Sequence, residues 1–395
     1  MTDPQLWGHL AERYRTVRPR KLLALDGGGI RGVMTLSILK AIETQLGGRP
    51  LAEYFDYIAG TSTGAIIAAG LARGMWVDEL ITFYRDAGPE MFQRTRFLAR
   101  LNSLYKGGPL QQKLHDVFGA GTDLRPEHLT TLLLVVTRNV TTDSAWPICS
   151  NPEARYNVRT RKDSNLRIPL WKLVRASTAA PIFFPPEVIE VDPDDPKKTF
   201  VFVDGGVTPY NNPAFLLYRF ATDPAYRLNW PKGERHLLLI SVGTGAGATE
   251  GVTADDPESN LLSTGLGIPT ALMYASLVDQ DVNCRVVGRC TYGDLLDREL
   301  LDMVPRQPPD DGTLDERLSR PPIPLSTDLG RSFLYARYNV DLSARGLDAL
   351  GFGHLDAATM RKLDRATSEH IDQLLEIGAA AAAQVKLDHF GPFAP

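Results

Sequence analysis

The sequence predicts an α/β fold built on a largely parallel central sheet, and three observations carry that expectation. Apolar, β-branched runs alternate along the chain with helix-like segments. Two of those runs end in glycine-rich turns that open straight into a helix-like stretch. The composition, 43% hydrophobic and 23% charged over 395 residues, suffices to bury a large core.

In chain order, residues 1–20 read as an N-terminal helical segment, and "KLLALD" from Lys21 as a buried strand. "VMTLSILKAIETQLG" follows as its helix, stopped by Gly47 and Gly48. "YFDYIAG" is a second strand and "GAIIAAGLARG" a helix of small residues. "TTLLLVVTRNV", "KTFVFVDGG" and "RHLLLISVGTG" give three more strands bounded by turn residues. The proline-rich loop at 306–324 is the expected boundary between a main domain, 21–305, and a C-terminal extension, 325–395, that packs on the core. The extension should hold a strand at "FLYARYNVDL" and one helix from about Asp356 to Lys386.

A net charge of −4 argues against a surface that coats a nucleic-acid polymer. Cys149, Cys284 and Cys290 make neither a CxxC pair nor an even disulfide set, so packed free thiols in a reducing cytoplasm are expected. The N-terminus lacks the apolar core of a signal peptide, and no run is long and apolar enough to span a bilayer. Any work on membranes would be peripheral, at the inner face.

"GTSTG", Gly60 to Gly64, lies between a strand and a helix, the context that gives G-x-S-x-G its meaning. A sharp turn there lifts a serine hydroxyl above the sheet, so Ser62 is the candidate nucleophile, with Gly60 and Gly64 clearing space around it. A serine hydroxyl needs a base within reach. The seven histidines include none at a recognisable strand-end position; His236 stands at the N-terminal end of its run, and His370 in a polar helical stretch. The better candidate is Asp204, which ends the apolar run "FVFVD" ahead of Gly205 and Gly206. An ordinary aspartate is a poor base at neutral pH, and partial burial would raise its pKa into a useful range.

"DGGGIRG", Asp26 to Gly32, offers bare backbone N–H groups before a helix N-terminus, suited to an oxyanion formed on Ser62. The same residues formally satisfy the dinucleotide-binding G-x-G-x-x-G, whose acid would have to be Glu43 or Asp56. A phosphate-binding P-loop is excluded, because Val33 and Met34 stand where Lys and Ser or Thr are required.

With "DGGGIRG", "GTSTG" and "DGG" in this order, supported by "RASTAAPIFFPP" from Arg175 and "SVGTG" from Ser241, the chain resembles the patatin-like phospholipase family over roughly Arg20 to Val304. The resemblance implies a three-layer α/β/α fold and hydrolysis of glycerophospholipid acyl esters through an acyl-enzyme, with no metal or other cofactor. Ser62 would be the nucleophile and Asp204 the base. The backbone of Gly27, Gly28 and Gly29 would form the oxyanion hole, with Arg31 beside it and Gly32 closing the motif.

A weaker resemblance links "LMYASLVDQDVNCRVVGRC", "RELLDM" and "FLYARYNVDL" to bacterial patatin-like effectors of anti-phage signalling. It implies a cyclic dinucleotide or oligonucleotide activator, for which Arg285, Arg289, Arg331 and Arg337 are candidate phosphate partners. The segment from Gly88 to Gly108 mixes basic and apolar residues in a way that suits a membrane interface or a lid, as well as an ordinary core-facing helix. A general carboxylesterase or lysophospholipase and a non-catalytic lipid-binding protein are the competing functions; homo-oligomerisation is a further expectation.

Overall fold

The computed structural model describes residues 3–91, 107–247, 261–296 and 330–395, with backbone alone for 261–270. The greater part of the basic and apolar segment from Gly88 to Gly108, the "RELLDM" stretch and the proline-rich loop at 306–324 lie outside the described residues.

The chain folds around one nine-stranded sheet. Its strands are β1 (Arg20–Leu25), β2 (Tyr57–Thr61), β3 (Leu132–Asn139), β4 (Ser144–Cys149), β5 (Glu187–Glu190), β6 (Thr199–Asp204), β7 (Leu237–Val242), β8 (Arg289–Tyr292) and β9 (Leu334–Tyr338). They lie in the order β5-β6-β3-β2-β1-β7-β9-β8, and β4 pairs with β3 outside that path. The centre, from β3 through β2, β1, β7 and β9 to β8, is parallel. The other side is antiparallel, β6 running against both β3 and β5.

The central strands are apolar on both faces because both are covered. In β1, Leu23 and Leu25 face one core while Leu22 and Ala24 face the other. The first core is roofed by the helices Gly32–Gln45, Thr63–Ala72, Val77–Met91, Gly107–Phe118, Leu170–Ser177 and Ser368–Ala382. The second lies under the N-terminal segment, with Trp7 and Tyr14, and the helix Ala214–Thr222. These are the layers of a three-layer α/β/α fold.

Three features differ from the sequence reading. β9 lies inside the sheet, hydrogen-bonded between β7 and β8, so the proline-rich loop separates no independent layer. The expected helix from Asp356 to Lys386 is two helices, Ala357–Met360 and Ser368–Ala382. Asp356 and Thr367 each accept from a backbone N–H three residues on, which starts a new helix at each. The segment between them turns down onto the Gly-rich motif, where the Leu363 carbonyl accepts the Ile30 N–H at 2.9 Å. Strands β4, β5 and β8 escape the sequence reading because they are short or, in β4, interrupted by Pro147.

Candidate functional site

β2 ends at Thr61, and the helix Thr63–Ala72 begins two residues later. Ser62 makes the turn alone, at φ 54° and ψ −124°. A left-handed φ costs a non-glycine residue about 1–3 kcal/mol. The glycines beside it are required by space: a Cβ on Gly60 would strike the Gly64 carbonyl, and one on Gly64 the Leu25 carbonyl at the end of β1.

The turn points the Ser62 hydroxyl at Asp204, where Oγ donates to Oδ2 at 2.6 Å. Asp204 arrives by a route the sequence does not reveal. β6 is antiparallel to β3, and its last residue pairs with Thr137, next to the Val136 that pairs with Thr61 of β2. The carboxylate therefore reaches the level of Ser62 from the opposite direction. The Gly206 N–H donates to its other oxygen at 2.6 Å, and the Asp204 N–H is held by the Ala179 carbonyl at 3.0 Å. Among the described residues no histidine hydrogen-bonds to either Ser62 or Asp204.

Burial raises the Asp204 pKa to about 6. The Ser62 hydroxyl, the Gly206 N–H and the charge of Arg175 all pull it back down. Arg175 is itself almost wholly buried, and its Nε and Nη1 have no hydrogen-bond partner.

The Gly-rich turn packs against Ser62, but its N–H groups are not equivalent. Gly27 donates to the Asn211 carbonyl at 3.0 Å and so is not free to meet an oxyanion, a correction to the sequence reading. Gly28 and Gly29 have no acceptor among the described residues. Gly29 lines the same cavity as Ser62. Arg31 turns inward, its Nε near the Gly28 carbonyl at 3.4 Å, with its pKa lowered to about 10 by burial, helped by the charge of Arg361. Gly32 starts the following helix against the Thr63 side chain. Gly205 sits where a Cβ would strike the Val136 carbonyl.

Below the turn, Asp26 forms a buried two-point ion pair with Arg337 of β9, whose Nη1 reaches Oδ1 at 2.9 Å and whose Nη2 bonds Oδ2. Burial works against the Arg337 charge, yet the carboxylate beside it outweighs this and holds the guanidinium pKa above its ordinary value. Arg337 is thus committed to the fold and is not available to a phosphate. Its companions are also engaged: Arg285 with Asp281, Arg289 with Glu234, and Arg331 with the Val286 carbonyl. The acids of the dinucleotide-binding alternative are occupied too. Asp56 is buried among Arg13, Arg18 and Arg20 just ahead of β2, and Glu43 binds Lys40 and the Val77 N–H.

Ser62 and Asp204 sit on the wall of an apolar cavity that Ile66, Met91, Leu110, Phe184 and Met273 also line. A hydroxyl bonded to a partly basic carboxylate, two unused N–H groups and an apolar slot can together attack an ester, hold the oxyanion and receive a hydrocarbon chain.

Residues 23–218 match the family model for patatin-like phospholipases. Over these residues the chain is a patatin-like phospholipase domain. It is similar to Patatin-T5 of Solanum tuberosum, 28% identical over 243 residues, which are 57% of this chain and 60% of that protein. It is also similar to the intracellular phospholipase A2 of Caenorhabditis elegans, 32% identical over 232 residues, 57% of this chain and 19% of that one. Human GIVD cytosolic phospholipase A2, a solved structure, is 12% identical over 95% of this chain and 60% of its own, with a TM-score of 0.38. The chain spans less than two thirds of the length of these relatives. The family match covers Ser62 and Asp204 but stops short of Arg337 and Leu363, which lie against the same turn.

Three further residues at the site went unremarked in the sequence. Ser177, within "RASTAAPIFFPP", accepts the Ser62 N–H; Asn211 backs Gly27; Thr244 donates to the Gly27 carbonyl at 3.0 Å. The only local trace of Ser177 is a hydroxyl at a helix end.

Proposed function

We propose that this chain hydrolyses acyl esters of glycerophospholipids, with Ser62 as nucleophile, Asp204 as general base, and the Gly28 and Gly29 N–H groups as oxyanion donors. The observation that carries the proposal is the 2.6 Å bond from Ser62 Oγ to Asp204 on the wall of an apolar cavity.

Ser62 Oγ attacks the ester carbonyl carbon while its proton passes to Asp204. The tetrahedral oxyanion is met by the free N–H groups, with the helix Gly32–Gln45 behind them. Collapse expels the lysophospholipid alkoxide, which takes the proton from Asp204 and leaves the acyl group on Ser62. Water then attacks the acyl-enzyme; Asp204 takes its proton and returns it to Ser62 Oγ as the fatty acid departs. A pKa of about 6 suits this role, since the group is ionised at neutral pH yet basic enough to accept a proton. A fluorophosphonate should phosphonylate Ser62 one-to-one, read by mass spectrometry, and block fatty-acid release from phosphatidylcholine and phosphatidylglycerol vesicles. Full release after complete labelling would sink the proposal.

Peripheral contact with a bilayer is part of the same proposal. No helix among the described residues is long and apolar enough to cross a membrane. Ile182 and Leu272 are exposed, and each is the sequence neighbour of a cavity-lining residue, Phe183 or Met273. Ile182 holds a φ of 73°, costly for a β-branched residue, so its display beside the cavity is maintained against strain. Ile182→Asp should lower vesicle hydrolysis about tenfold relative to a soluble short-chain ester, the equivalent of losing one buried apolar side chain.

Activation by a cyclic dinucleotide or oligonucleotide is a second proposal, supported by the C-terminal resemblance alone. Arg285 and Arg337 are held by buried carboxylates, so an activator would have to use the exposed Arg289, the remaining N–H groups of Arg331, or other partners. Vesicle hydrolysis that appears only on adding a cyclic dinucleotide would support it, and full hydrolysis without one would end it.

A further inference from the structure

Ser62 occupies a backbone conformation that its own side chain disfavours, so neighbouring groups must hold it there. The Ser62 N–H donates to Ser177 Oγ at 2.9 Å, and Ser177 Oγ donates in turn to the Val136 carbonyl at 2.6 Å. Val136 is the β3 residue in register with Thr61, the last residue of β2. The relay therefore spans the point where the chain leaves the β2–β3 ladder to make the turn, and the Ser177 hydroxyl fills the gap. Ser177 has no solvent exposure, so bulk water does not reach either of its partners through it. Two residues further on, the Ala179 carbonyl accepts the Asp204 N–H at 3.0 Å. One short segment at the end of the helix Leu170–Ser177 thus grips the backbone of Ser62 through a side chain and that of Asp204 through its main chain.

We infer that Ser177 is a positioning residue, whose hydroxyl fixes the strained turn so that Ser62 Oγ stays within hydrogen-bond reach of Asp204. The inference rests on the nucleophile and base assigned above. Ser177 touches neither hydroxyl nor carboxylate of the reacting pair; it acts on the Ser62 amide. Removing its hydroxyl leaves a buried N–H and a buried carbonyl unpaired at the most strained point of the site. The turn then relaxes, and Oγ moves away from the base.

The test compares Ser177→Thr with Ser177→Val, which match in volume and differ in the hydroxyl, together with Ser177→Ala, which adds no volume. Each purified full-length variant is measured for kcat and KM on a soluble ester, for the rate of Ser62 phosphonylation, for the pH profile and for thermal midpoint. The Val variant should fall about 10–100-fold below the Thr variant in kcat and labelling rate, the cost of a small misplacement of reacting atoms. The Ala variant should fall likewise below wild type, with KM unchanged, since the cavity is intact, and with the acid limb of the pH profile moved to higher pH, because Asp204 loses the Ser62 hydroxyl that pulls its pKa down. Val equal to Thr, or Ala equal to wild type, overturns the inference; if Val does not fold, Ala against wild type decides. Wild type that hydrolyses the ester without labelling at Ser62 overturns the nucleophile assignment, and this inference with it. Wild type that labels and turns over, beside variants that are all alike, overturns this inference alone.

Discussion

Ser62→Ala is expected to lower ester hydrolysis by at least about 10⁴-fold while the chain stays folded, because single removal of a serine nucleophile elsewhere costs up to about 10⁶. The substitution deletes one buried oxygen and leaves the turn, its glycines and the Ser177 relay in place. The circular dichroism spectrum should be unchanged and the thermal midpoint close to wild type. Fatty-acid release from vesicles and labelling by a fluorophosphonate should vanish together. Retained hydrolysis would refute the nucleophile assignment. A wild type without hydrolysis, whose vesicle binding survives the substitution, would support the non-catalytic lipid-binding alternative.

Asp204→Asn should reduce kcat by about 10²–10⁴-fold, the usual contribution of a positioned base, and yet make the protein more stable at alkaline pH. Burial lifts the Asp204 pKa from 3.8 to about 6 in the folded chain. A carboxyl raised in this way contributes stability that is fully present below the unfolded pKa and is lost as pH rises through the folded one. Above pH 7 the wild type therefore carries a penalty on the order of 2–3 kcal/mol for a buried charge, at about 1.4 kcal/mol per unit. Asparagine carries no charge and escapes it. Urea midpoints should favour the variant at pH 8 and converge towards pH 4. The same titration governs activity: wild-type kcat/KM should rise through about pH 6 and level off above it. Equal midpoints for the two proteins at pH 8 would show that the carboxylate is not held against its ionisation.

The parts of the site that the sequence displays are those encoded by near neighbours. Gly60, Ser62 and Gly64 sit within five residues between a strand and a helix, and steric demands alone select that pattern. Asp204 stands out because a charged residue rarely closes an apolar strand without a reason. The hidden parts depend on contacts between distant segments. The Gly27 N–H looks as available as those of Gly28 and Gly29 until Asn211 is brought to it. Arg337 and Asp26 are 311 residues apart, and in sequence Arg337 is one more surface-like arginine. The direction of β6 could not be read from its apolar pattern, since parallel and antiparallel strands share it. The break between Met360 and Ser368 was hidden for a similar reason: the polar residues there suit a helix, and the pull of Leu363 towards Ile30 is tertiary.

The Arg337–Asp26 pair and the Leu363–Ile30 bond also set a timetable. During synthesis the Gly-rich turn leaves the ribosome well before the strand and loop that complete it, Arg337 following Asp26 by 311 residues. Until Arg337 arrives, Asp26 cannot be buried as a charge without its counter-ion, and such burial costs several kcal/mol. A nascent chain that has already formed β1, β2 and the Ser62 turn still lacks the support beneath its Gly-rich loop. Under the proposed function, the capacity to cut membrane lipids is therefore acquired only after β9 and the loop carrying Leu363 have been made.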